Sequence, residues 1–299
     1  MWNEKFKLWI RASRLFSITA SGIPVILGGV LAVQAPEFNM GYFILSIIGI
    51  IFLHVAVNLL SDYDDFINKV DTKDSYGSSG IMIEGLLTPK EVRKGGIILF
   101  FLAGLIALFF SYKRGIVILI LVIIGAISGY FYTGKPLKLK YRGLGAPVVF
   151  LTFGPLMVLG AYYLQMQEFS LKAFLVSIPL GLLTTAILHV NDIRDIQYDK
   201  RAGIKTLSMF VGIKNANLIY FSLIILSYIS VIIMVFFKVI PYWSLICLIT
   251  LPIGIKNIDR LRKSKGSSDA IAYLDQETAK LQAKFGILFI LSILVSFVI

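Results

Sequence analysis

Apolar runs of about 20 residues recur along this 299-residue chain, each long enough to cross about 30 Å of hydrocarbon as a helix. Lipid offers no partner to backbone N–H and C=O groups, so each run must satisfy its hydrogen bonds within itself. The runs fall at roughly 15–35, 42–61, 95–111, 115–133, 144–164, 171–190, 216–237, 241–256 and 281–299. The expectation is an all-α fold: a polytopic membrane helix bundle with nine transmembrane helices around a central cavity, one domain over 1–299. Composition agrees, since 57% hydrophobic and 15% charged residues leave too little charge for a water-soluble domain of this length.

The charges are distributed unevenly between the runs. With nine spans, all but four of the 29 Lys and Arg residues fall on one side; Lys113, Arg114, Lys172 and Lys238 fall on the other. Cytoplasmic loops carry such an excess, so the N-terminus and a polar cap are expected in the cytoplasm and Ile299 outside. The formal net charge of +12 is thereby assigned to membrane orientation rather than to nucleic acid. The chain reads as a multi-pass protein of the cell (plasma) membrane. A lone cysteine, Cys247, and two histidines exclude a disulfide within the chain and argue against a thiolate zinc site or a haem centre. His54 and His189 are expected to be packing residues with a hydrogen bond, and Tyr130, Tyr132 and Tyr141 to be interfacial aromatics. Gly125, Ala126, Ser128 and Gly129 are expected to let helices pack closely.

Eight of the 17 acidic residues crowd into two stretches that end apolar runs on the cytoplasmic side. In Asn58–Asp71, NLLSDYDDFINKVD, Asn58, Asp62 and Asp65 follow at helical spacing, with Asp64, Asp71 and Asp74 close by. In His189–Thr206, HVNDIRDIQYDKRAGIKT, Asp192, Asp195 and Asp199 do the same. Intervals of three and four put side chains on one helical face. Asp62 and Asp195 each close the second span of a four-span group, a faint internal repeat that would set the clusters face to face across a cavity. Facing carboxylates repel, so a cation is implied. Mg2+ takes oxygen ligands, usually one or two carboxylates plus substrate phosphates, and the interspersed Lys and Arg suit phosphate oxygens. The pattern points to a metal-held lipid diphosphate. Solvated loop ends would explain one such cluster, but two on the same side favour a site. An ion-coupled transporter is the non-enzyme rival, but it expects acids near mid-bilayer, and no span carries one there.

These stretches resemble the two aspartate-rich motifs of the UbiA superfamily of intramembrane aromatic prenyltransferases, over nearly the whole chain. The trailing GIKTL after the second motif belongs to the same likeness. YTGKPLKLKYRGLG, starting at Tyr132, and SSGIMIEGLLTPKEV, starting at Ser78, resemble the menaquinone-pathway branch, which prenylates 1,4-dihydroxy-2-naphthoate. Ser61 and Asp192 stand where many relatives carry asparagine. The resemblance implies a Mg2+-dependent transfer of a polyprenyl group from a polyprenyl diphosphate to an aromatic acceptor. It implies metal sets of Asn58, Asp62 and Asp65, and of Asp195 and Asp199 with Asp192, the four aspartates 62, 65, 195 and 199 being catalytic. Lys140, Arg142, Lys205 and Arg194 become candidates for the diphosphate, and loops 66–89 and 191–214 for a lid. Alternative acceptors within the superfamily are 4-hydroxybenzoate, a glycerol-phosphate lipid or haem.

Overall fold

The computed structural model describes residues 2–70, 76, 78–201 and 203–297; Asp71, Lys73, Asp74 and Ile299 lie outside the described residues. Among the described residues twelve α-helices run in order. They are α1 (Trp2–Ala12), α2 (Thr19–Val30), α3 (Met40–Ile67), α4 (Pro89–Arg114), α5 (Ile116–Thr133) and α6 (Gly145–Leu151). Then follow α7 (Met157–Met166), α8 (Leu171–Arg194), α9 (Ile196–Arg201), α10 (Leu207–Phe236), α11 (Leu251–Ser264) and α12 (Leu274–Val295). Among the described residues there is no β-strand, only an isolated bridge between the backbones of Arg142 and Lys205.

Among the described residues, seven helical stretches, with α6, the π-turn and α7 counted together as Gly145–Met166, are long and apolar enough to cross a membrane, and the bent pair Glu4–Ala12 and Leu15–Val30 makes up to eight. The nine-span expectation therefore does not hold as uniform helices. The first expected span, 15–35, starts just after a 44° bend that separates it from α1 at Arg14, a residue held in the left-handed region at φ 52°, and α2 covers only Thr19–Val30 of it. The eighth, 241–256, is divided between a 3-10 segment, Tyr242–Thr250, and the start of α11. Pro241 and Pro252 flank that segment, and neither can donate to a preceding carbonyl. The outer faces of the long helices carry exposed Phe101, Leu108, Ile116 and Leu226. Such apolar area is a liability in water and a match for lipid tails.

Local chemistry sets the helix ends. Asn39 caps α3 by accepting from the Tyr42 amide at 2.9 Å. Thr88 and Glu91 form a reciprocal capping box at the start of α4, satisfying otherwise orphaned amides. Ser170 caps α8 by accepting from the Ala173 amide at 3.2 Å. Tertiary packing places α3 against α4, α8 against α10 and α12, and α2 against α7. Close approach is needed where α8 crosses the π-turn Thr152–Leu156: a Cβ on Gly154 would sit 2.9 Å from the Gly181 Cα. The densest core, with Leu180, Leu183, Tyr220, Ile224, Phe285 and Phe289 all buried, joins α8, α10 and α12. That core backs α8, and the open space lies on the other side, between α8 and α2–α7.

Candidate functional site

That space is a cavity of about 420 Å3. Its body is apolar, lined by Ile50, Val57, Phe100, Leu121, Phe153 and Leu156. One end is polar and holds Arg14, Asn58, Asp65, Lys140, Asp195 and Asp199. Gly125, Ala126, Ser128 and Gly129 line it too. Gly129 does approach another helix, with a Cβ there meeting Val57 at 3.0 Å. The four small residues thus mainly leave room in the wall rather than seal a helix interface.

The first acidic stretch does not present its acids together. Three residues advance a helix by about 300°, so Asp65 lies about 60° around α3 from Asp62. Asp65 faces the cavity and accepts a hydrogen bond from the Tyr141 hydroxyl. Asp62 is 3% exposed and turned to the N-terminal segment, pairing with Arg14 Nη1 at 3.2 Å and accepting from the Ser79 amide at 3.1 Å. Asn58 donates to the Ser17 hydroxyl at 3.0 Å and the Ser13 carbonyl at 3.3 Å.

The second stretch breaks where the spacing predicts a continuous helix. α8 ends at Arg194, and Asp195 is its C-cap at φ −91°, ψ 3°. Asp195 and Asp199 line the cavity, while Asp192 is buried behind its wall. Arg194 is 1% exposed. Its guanidinium donates to both Asp195 oxygens, to Asp275 and to the Ala272 carbonyl, so it is already engaged rather than free to grip a phosphate.

Lys140 is the cation that faces both stretches. The 3-10 turn Leu139–Tyr141 places it on the cavity wall while Arg142 stays exposed. Burial disfavours its charge, but the surrounding Asp65, Asp199 and Asp192 outweigh that and hold its pKa well above the usual lysine value. Asp199 is pushed up to about 6, first by burial and then by Asp195 and Asp65, against the opposing pull of Lys140. Arg142 and Lys205 are exposed and do not line the cavity. The expectation that they bind diphosphate is not supported by their placement; their backbones pair in an isolated bridge. Arg14 lines the polar end of the cavity instead, and no motif in the sequence marks it.

Of the aromatics, Tyr130 is exposed as expected, but Tyr132 and Tyr141 belong to the site. The Tyr132 hydroxyl is buried with no partner among the described residues. Both histidines are packing residues: His54 lies between the Ser17 and Ser21 hydroxyls at 3.0 and 2.8 Å, and His189 reaches the Ala216 carbonyl at 2.9 Å.

Among the described residues, no three His, Cys, Asp or Glu side chains converge tightly enough to hold a metal alone. Yet Asn191 Oδ1, Asp192 Oδ1 and Asp199 Oδ2 are buried acceptors without a partner. Leaving such oxygens unmet is costly, and a hard cation with oxygen ligands would satisfy them. The donor set fits a partly coordinated Mg2+ that takes its remaining oxygens from a substrate.

A lipid-facing helical bundle around an apolar cavity with a charged end has the architecture of an intramembrane prenyltransferase. Residues 21–293 match the UbiA prenyltransferase family, and the chain belongs to that family. It is 27% identical to the 1,4-dihydroxy-2-naphthoate octaprenyltransferase of Bacillus subtilis (strain 168), over 97% of this chain and 93% of that protein. It is 31% identical to UbiA prenyltransferase domain-containing protein 1 of Homo sapiens, over 99% and 86%. A UbiA homolog from Archaeoglobus fulgidus, solved bound to DMAPP and Mg2+, shares the fold with a TM-score of 0.64 at 16% identity, over 94% and 98% of the two chains.

Proposed function

We propose that this prenyltransferase moves a polyprenyl group from a polyprenyl diphosphate to an aromatic acceptor in a Mg2+-dependent reaction, and that the acceptor is 1,4-dihydroxy-2-naphthoate. The observation that carries the reading is the two-ended cavity. An apolar body of about 420 Å3 suits an isoprenoid chain. The end bearing Lys140, Arg14, Asp65, Asp195 and Asp199 suits a diphosphate with its counter-cations. The A. fulgidus homolog binds such a diphosphate with Mg2+, and the B. subtilis relative bears the acceptor in its name.

Asp65, Asp195 and Asp199, with Asn58 and the orphaned Asn191 oxygen, from the cavity wall, and the orphaned Asp192 oxygen behind it, would hold the metal. Bound there, Mg2+ would supply Lewis-acid stabilisation of the leaving diphosphate. Asp62 serves the first set indirectly, by fixing Arg14. Lys140 and Arg14 hold diphosphate oxygens and neutralise the charge that grows as the allylic C–O bond breaks. Phe153, Leu156 and their apolar neighbours hold the chain extended and exclude water, which would otherwise capture the allylic cation. Tyr132 presents an aromatic ring at the polar end, where a cation over its face is stabilised. The electron-rich acceptor carbon forms the new C–C bond; for this acceptor its carboxyl leaves as carbon dioxide.

We further assign the active-site end to the cytoplasmic face of the plasma membrane, from the bias of Lys and Arg. Nine crossings follow if the bent N-terminal pair and the 242–264 segment each count as one. The acceptor is tested by supplying 1,4-dihydroxy-2-naphthoate and 4-hydroxybenzoate in competition. Preferential prenylation of the naphthoate is expected; equal or better use of 4-hydroxybenzoate would refute that acceptor.

A further inference from the structure

We infer that Asp275, on the last helix, is a positioning residue for the second acidic stretch, acting on Asp195 through the buried Arg194. The inference rests on the proposal that this stretch binds metal and diphosphate. Arg194 Nε and Nη2 donate to the two Asp195 oxygens at 2.8 and 2.9 Å. Its third nitrogen, Nη1, meets Asp275 Oδ2 and the Ala272 carbonyl, both at 3.1 Å. The Ser268 hydroxyl donates to the Arg194 carbonyl at 2.7 Å. The turn before α12 thus wraps the residue on which Asp195 is mounted.

Charge gives this arrangement a consequence for the site. One guanidinium serves two carboxylates, so neither is fully neutralised. Asp275 is 4% exposed, and its Oδ1 has no partner among the described residues, which leaves Arg194 as its compensating charge. By drawing on Arg194, Asp275 leaves Asp195 more negative toward the cavity, where it also lies 17% exposed. Without the Asp275 charge, Arg194 turns wholly to Asp195 and weakens it as a cation ligand. Arg194 would still keep one carboxylate, so no buried charge is stranded and the fold is retained. Outer partners of metal-ligating carboxylates tune affinity in this way, typically by roughly 10- to 100-fold.

The test compares the wild type with Asp275→Asn and Arg194→Lys, each purified in detergent. Two quantities are measured: the rise in Tm on titrating Mg2+ with inorganic diphosphate, and the Mg2+ concentration giving half-maximal prenyl transfer. In Asp275→Asn both midpoints should move to roughly 10- to 100-fold higher Mg2+, with kcat at saturating Mg2+ falling less. A purely structural residue would lower the ligand-free Tm and leave both midpoints in place; that result overturns the inference. If Asp275→Asn does not accumulate folded, Arg194→Lys carries the test, because it keeps the charge but loses the fork joining Asp195 to Asp275. Unchanged midpoints in that folded variant overturn the inference equally. A wild type whose Tm ignores Mg2+ and diphosphate would instead defeat the metal–diphosphate reading, and this inference with it.

Discussion

Replacing Lys140 with methionine should stop catalysis while making the protein respond more strongly to Mg2+ alone. The side chain is half-buried and charged against Asp65, Asp199 and Asp192. In the metal-free protein it is the cation inside the cavity that offsets both acidic stretches. Breaking a fully buried charge pair costs about 3–5 kcal/mol; with partial solvent access about 1–3 kcal/mol is expected here. That corresponds to a Tm lower by a few degrees, at about 2–4 °C per kcal/mol. Mg2+ then meets carboxylates no longer held by an ammonium, so the metal-induced rise in Tm should exceed that of the wild type. Loss of a preorganised charge at the leaving diphosphate should cost roughly 100- to 1000-fold in prenyl transfer. The assay is differential scanning fluorimetry in detergent across a Mg2+ titration, beside product formation at saturating Mg2+. The reasoning fails if Lys140→Met keeps more than about a tenth of the activity, or if its Mg2+-induced rise is no larger than the wild type's.

Other outcomes follow from the same geometry. Asp199→Asn removes a carboxyl that burial already disfavours, so the metal-free Tm should hold or rise while prenyl transfer falls by at least about a hundredfold; Glu37→Gln, exposed and remote, should be silent in both assays. Because the Asp199 pKa is raised to about 6, a bound proton competes with metal below that value. Half-saturating Mg2+ should therefore climb as pH falls from 7.5 through 6, and a flat profile would count against Asp199 as a ligand. Asp62→Asn and Asp195→Asn should also abolish transfer, but each breaks an ion pair with one buried member, Asp62 with Arg14 and Arg194 with Asp195, so each should lower Tm as well. Reporters fused before Met1 and after Ile299 should read inside and outside; a cytoplasmic C-terminus would contradict nine crossings.

The sequence showed the membrane bundle because apolar run length is a one-dimensional property, and the helices at 40–67, 171–194 and 207–236 follow it directly. It also placed Asp65, Asp195 and Asp199 in one site, since each acidic stretch lies at the same end of its span. Tertiary pairing was not legible. Asp62 and Asp65 differ by one turn's offset, and it is the tertiary partners, Arg14 and the Ser79 amide at Asp62 and Tyr141 at Asp65, that distinguish them. Arg194 reads as a free cation until the turn at 268–272, nearly 80 residues away in the chain, is seen to enclose it. Lys140 and Arg142 looked equivalent at a spacing of two; a single 3-10 turn separates their directions. The 241–256 run has the composition of a span, yet its flanking prolines and the 3-10 segment divide it.

In the proposed reaction the charged end of this cavity activates a polyprenyl diphosphate for attack by an aromatic carbon. The most direct measurement is mass analysis of products after the purified protein is incubated with a polyprenyl diphosphate and 1,4-dihydroxy-2-naphthoate, with Mg2+ or with a chelator. A C-prenylated, decarboxylated naphthoquinol is expected with Mg2+ and should be lost with the chelator. Free polyprenol as the sole product, or equal transfer in the chelator, would contradict the proposed reaction.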